Sequence, residues 1–184
     1  MVLLVAVAAG MTACSVPGVK ADDLMKGIKA QAVEGKAIDE RFVENTADFT
    51  IELFKKSVDS EKNSLVSPLS VMLALAMTAN GADKDTLDQM DRVLGGDIPL
   101  DELNRYLYTY VKGLPSEKKS KLNIANSIWF RDDSERLNVN KDFLQTNADY
   151  YSADIYKAPF DNATLKDINN WVKANTDGMI DEIL

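Results

Sequence analysis

Asn63-Ser-Leu-Val-Ser-Pro-Leu-Ser-Val-Met-Leu-Ala-Leu-Ala-Met77 places a short apolar strand directly before a helix that is apolar on nearly every side. Ser67 stands where an N-cap hydroxyl accepts from a free first-turn amide. Pro68 falls at the first helical position, where its missing N–H is not needed. Beyond it, Leu69, Val71, Met72, Leu73, Leu75 and Met77 cover most of the circumference, and Ala74 and Ala76 permit close approach. A helix of that kind belongs in the middle of a sizeable fold. Ser70, Thr78 and Asn80 are then carried inside with it and need polar partners there. Asn80-Gly81 is a stop signal that tolerates positive φ.

Working outward, residues 38–58 repeat apolar side chains at helical spacing, and residues 86–94 and 100–111 form two further amphipathic helices. Tyr106, Tyr108 and Tyr110 on the last of these read as a packing surface. Residues 122–130 give the strongest strand signal, with Leu122, Ile124, Asn126, Ile128 and Phe130 on one face. Asn126 thus interrupts an apolar face, where an unpaired amide costs about 1–3 kcal/mol, so it needs buried partners. Ser67 and Ser70 are the candidates. Residues 142–152 read as a helix, 155–160 as a strand ending near Pro159, and 165–176 as a helix with Leu165, Ile168, Trp171 and Val172 turned inward.

These pieces together resemble the N-terminal part of the serpins. Ser67-Pro-Leu-Ser70 is similar to the start of that family's buried second helix. Ala74-Leu-Ala-Met77 with Asn80-Gly-Ala82, and Thr86-Leu-Asp-Gln-Met90 with Val93-Leu94, resemble the segments that follow it. Leu122-Asn-Ile-Ala-Asn-Ser-Ile-Trp-Phe130 resembles a strand of the family's main sheet, and Ile168-Asn-Asn-Trp-Val172 with Thr176-Asp-Gly-Met-Ile180 the helix lying across it. The resemblance runs from about residue 38 to the last residue in the family's order. It implies an α+β fold in which N-terminal helices pack around part of a mixed or antiparallel main sheet, as an incomplete domain.

The resemblance also implies a function. A serpin inhibits serine, and sometimes cysteine, endopeptidases by offering an exposed loop that inserts into the main sheet after cleavage. Ser67, Ser70 and Asn126 match the polar "shutter" beneath that sheet, a structural gate. The expected partner of a full-length form is a serine protease. The chain stops at Leu184, about halfway through such a domain, so the reactive-site loop has no counterpart in it. A non-inhibitory serpin-like surface binding module, or an inactive fragment, is the alternative.

Composition narrows the chemistry. With 46% hydrophobic and 27% charged residues, the 184-residue chain can bury a core. A net charge of −8 opposes a nucleic-acid surface, and the cluster Lys118, Lys119, Lys121 reads as a solvated turn. Helix 100–114 carries only Arg105 and Lys112, too few for a polyanion site. The absence of His and the single Cys exclude His-based triads, Cys–His dyads and ordinary zinc sites. Asp83, Asp85, Asp88 and Asp91 lack the glycine and terminal glutamate of a calcium loop. No catalytic residue, cofactor, metal or small-molecule ligand is expected, and a carboxylate-based hydrolase finds no paired acids to support it.

Residues 1–14 read as a targeting segment. Residues 2–9 form an apolar run with the length of a signal-peptide core, too short to span a bilayer. Met11-Thr-Ala-Cys14 resembles the bacterial lipoprotein signal, which makes Cys14 a lipidation site and the protein a membrane-anchored, extracytoplasmic cell-surface lipoprotein. An ordinary cleaved signal with an incidental Cys is the other reading, and no positively charged n-region precedes Val2. Residues 15–37, with Pro17, Gly18, Gly27 and Gly35, then read as a tether, and residues 38–184 as the serpin-like part.

Overall fold

The computed structural model describes residues 16–59, 61–115, 122–133 and 135–184. Six helices and three strands follow in the order β1 (Asp22–Asp23), α1 (Glu40–Ser57), α2 (Pro68–Ala79), α3 (Lys84–Leu94), α4 (Leu100–Gly113), β2 (Ser127–Arg131), α5 (Lys141–Tyr151), β3 (Asp154–Ala158) and α6 (Asn162–Asn175). The strands form one mixed sheet in the order β1-β3-β2. β2 and β3 run parallel, with α5 as the crossover a parallel pair requires, and β1 lies antiparallel on β3.

Alternation along the strands divides the molecule into two layers. Ile124 and Ile128 point into the main core, where Phe42, Met72, Leu73, Leu94, Leu103, Tyr106 and Leu107 are buried. Trp129 points the other way and stacks on Tyr156 with centroids 4.5 Å apart, and that pair packs with Trp171 and Val172 of α6. One sheet face therefore meets the helical bundle and the opposite face meets α6. Tyr106 is fully buried and stacks on Phe42 at 4.9 Å, so the tyrosines of α4 do form a packing surface.

Several helix ends follow the sequence closely. Asp39 caps α1 by accepting from Phe42 N at 3.0 Å. Asp161 and Thr164 form a reciprocal capping box at the start of α6. The Thr164 side chain is buried in that box, so the Asn162-Ala-Thr164 triplet is a helix start. Gly96 ends the α3 segment at φ +63°, and Asn45 occupies the space a side chain would need.

Other expectations are corrected. Residues 65–66 form no strand with the described residues, and Leu65 is fully exposed. The long strand shortens to Ser127–Arg131, since only those residues have a partner in β3. α2 is not buried all round: Ser67, Ser70, Ala74 and Thr78 lie on an exposed face. Gly81 is not needed for positive φ. It leaves room for Phe143, whose ring would lie 3.1 Å from an added Cβ. Leu165 of α6 is exposed, while Asp167 is buried instead.

The largest correction concerns residues 16–37, which form no free tether. They lie as a strap along the body. Lys20 N and Ala21 N donate to Asp167 Oδ2 at 3.0 and 2.8 Å, and Asn170 Nδ2 donates to Gly18 O at 2.8 Å. β1 then pairs with Lys157 and Tyr156 of β3. Further on, Gln145 Nε2 donates to Lys29 O, Gln31 N to Asp149 Oδ1, and Lys36 N to Arg105 O. The strap is attached largely through its own main chain, which a composition argument does not register. Cys14 and residues 1–14 lie outside the described residues.

Candidate gate beneath the sheet

The Ser67 and Ser70 hydroxyls bond to each other at 2.8 Å on the first turn of α2. Neither caps the helix with its side chain. Pro68 at the first helical position has no N–H to satisfy, and Val71 N makes the first helical bond, to Ser67 O. Both serines are exposed. Ser70 lines a cleft of about 450 Å³ together with Ala74, Asn126, Trp171, Val172 and Asn175. α2 forms the floor of this cleft, the segment entering β2 one wall and α6 the other.

Asn126 reaches the cleft but does not bond to either serine. Its Nδ2 donates to the main-chain carbonyl of Tyr151 at 3.2 Å, and its own carbonyl accepts from Asp154 N at 2.9 Å. The expected serine–carboxamide triad is therefore two neighbouring pairs: Ser67 with Ser70, and Asn126 with the end of α5. The last carbonyls of a helix lack intrahelical partners, and Asn126 satisfies one of them.

Behind Asn126 lies a polar cluster that the sequence reading missed. The Tyr151 hydroxyl donates to Asn104 Oδ1. Asn104 Nδ2 donates to Asn80 Oδ1 at 2.8 Å, and Asn80 Nδ2 returns to Asn104 Oδ1 at 3.3 Å. The partner that Asn80 requires is thus Asn104. Burial pushes the Tyr151 phenol up, so it stays a donor at any ordinary pH. The available signal was Asn104 itself, an amide between Leu103 and Tyr106 on the inward side of α4.

On the far side of the cleft, Trp171 Nε1 donates to Asp154 Oδ2 at 2.8 Å and so fastens α6 to β3. Burial raises the Asp154 carboxyl, and the nearby Asp23 raises it further, against the opposing indole N–H. Tyr156 is likewise raised by burial and by the neighbouring carboxylates. Among the described residues, no group of three or more acidic, His or Cys side chains is placed to hold a metal ion. The cations of α4 are engaged: Arg105 Nε donates to Glu34 O at 3.1 Å, and Lys112 lies over the Tyr108 ring. The lysines 118, 119 and 121 lie outside the described residues. No described helix is long and apolar enough to cross a membrane.

The family model Serpin, serine protease inhibitor, matches residues 44–184. The chain belongs to the serpin family. Leukocyte elastase inhibitor of Xenopus tropicalis is 32% identical over 147 residues, covering 74% of this serpin and 37% of that protein. Serpin-Z2B of rice (Oryza sativa subsp. japonica) is 33% identical over 144 residues, covering 74% and 32%. The native-state crystal structure of a thermophilic serpin, tengpin, superposes with a TM-score of 0.85 at 63% identity, over 90% of this chain and 42% of that one. The chain thus spans about two-fifths of its relatives' length or less. Six helices and a small mixed sheet agree with an incomplete α+β serpin domain.

Proposed function

We propose that the full-length form of this serpin is an inhibitor of serine-type endopeptidases that acts by inserting its cleaved reactive loop into the main sheet. The cleft beneath β2 supports this reading most. It holds Ser70 on its floor and Asn126 on its wall. Polar groups beneath a sheet that must part set how easily it parts, because each one left buried without a partner costs about 1–3 kcal/mol. Insertion lengthens the sheet by main-chain pairing and takes a metastable fold to a more stable one. In this reading Ser67, Ser70 and Asn126 gate the sheet and touch no reacting atom. Mixing the full-length serpin with trypsin or subtilisin tests it: an SDS-stable complex is expected, and loop cleavage without one sinks it.

Lipidation at Cys14 belongs to the same proposal and places the serpin on the outer side of a bacterial membrane. Small residues directly before the lone Cys support it. Metabolic labelling with a palmitate analogue is expected to mark the wild-type protein and not the Cys14→Ala variant.

A further inference from the structure

The polar cluster behind Asn126 forms one continuous chain. It begins at Asn80, where α2 ends, and Asn80 Nδ2 also donates to Ala76 O at 2.9 Å, so this amide is held on two sides. The chain crosses to α4 through the reciprocal amide pair of Asn80 and Asn104, and then to α5 through the Tyr151 hydroxyl. Asn104 is 3% exposed and Tyr151 5%, so neither has water as an alternative partner. Tyr151 is the last residue of α5, and Ser152 after it turns the chain at φ +48° toward β3. Tyr151 is therefore held at both ends, its phenol by Asn104 and its carbonyl by Asn126. From Asn126 the chain continues through its carbonyl to Asp154 N, the first residue of β3.

We propose that Tyr151 is the positioning residue for Asn126, and that the Asn80–Asn104 pair fixes Tyr151, so that the far end of α2 sets how β2 sits over the cleft. The proposal deepens the gate reading and rests on it for its functional meaning, but its geometry stands without any protease. A tyrosine locked at its hydroxyl has no freedom to tilt. Its carbonyl then holds one direction, and Asn126 follows it. Without the hydroxyl bond the ring still fills its site, but the carbonyl loses that constraint. The loosening should appear at the bond from Asp154 N to Asn126 O and not in the helical core.

Amide hydrogen exchange by NMR on the present chain tests this, with the Asp154 amide as local reporter and Leu107 of α4 as reporter of global opening. Tyr151→Phe is expected to speed exchange at Asp154 about fivefold, the size of one net hydrogen bond, with Leu107 unchanged. Asn80→Ala, at a partly exposed position, is expected to act in the same direction and decides the matter if Tyr151→Phe does not fold. Parallel acceleration at Asp154 and Leu107 would make Tyr151 a purely stabilising residue and overturn the proposal. So would no change at Asp154. If the full-length serpin formed no protease complex while Asp154 responded as expected, the gate reading would fail and the positioning role would remain.

Discussion

The indole N–H of Trp171 donates to the Asp154 carboxylate, and through that bond α6 is held to the first residue of β3. Asp154 carries its charge in a half-buried place, with Asp23 close by. Its proton is therefore bound more tightly in the folded protein than in the unfolded chain. Ionisation of Asp154 opposes folding, and its penalty fades as the pH falls through the raised value. Asp154→Asn keeps an acceptor for Trp171 and removes the charge. It should raise the urea midpoint at pH 7, with the gain shrinking in acid. A lower midpoint at pH 7 would mean that charge on the indole bond outweighs burial.

Asp167 holds the strap by accepting from two of its main-chain amides. Asp167→Ala leaves those N–H groups without their acceptor and should free residues 16–24. Each lost bond to a charged acceptor is worth about 1.5–3 kcal/mol. Limited digestion by a lysine-specific protease, mapped by mass spectrometry, should show cleavage after Lys20 and Lys26 at least about tenfold faster than in the parent. Unchanged cleavage would mean that β1 pairing alone retains the strap.

Asp39 at the start of α1 accepts from the Tyr106 hydroxyl and from Phe42 N. Those donors, the tyrosine first, hold its carboxyl below the ordinary value. Its contribution to stability is present above the unfolded value and is lost as the pH falls through the lowered folded one. Tyr106→Phe should move the Asp39 titration midpoint upward, measured by carboxyl carbon NMR, and shift the acid limb of unfolding to higher pH. A midpoint that stays in place would assign the lowering to Phe42 N.

Gly96 adopts φ +63° with Asn45 against it, so Gly96→Ala meets both backbone strain and a filled space. A loss of about 1–2 kcal/mol in chemical denaturation is expected. Adding Asn45→Gly should recover the part due to crowding and leave the part due to φ.

Much of this fold could be read from local pattern. α2 is announced by Ser67-Pro68, α1 and α6 by helical spacing, and the two faces of β2 by Ile128 and Trp129. Family membership was legible for the same reason: these segments keep their order and spacing. What escaped was held by long-range partners. Asn126 was expected to bond to Ser67 and Ser70, but the partner of its side chain is a main-chain carbonyl, which has no sequence signature. Asn104 and Asn80 are 24 positions apart and meet only when α2 and α4 pack. The strap escaped because Gly18, Gly27 and its polar neighbours have a linker's composition, and its attachment is made by amides and carbonyls every residue possesses. Ser67 looked like a cap because its position suited one, yet the hydroxyl found Ser70 instead.

β1 and Leu24 cover part of the outer rim of β3, Leu24 N donating to Ile155 O at 2.9 Å, while the opposite rim of β2 has no strand beside it among the described residues. Accretion of further chain onto this sheet accordingly has a direction. Among the described residues, residues 22–24 already occupy part of one flank, and the Ser127–Arg131 flank is the one left open to pairing.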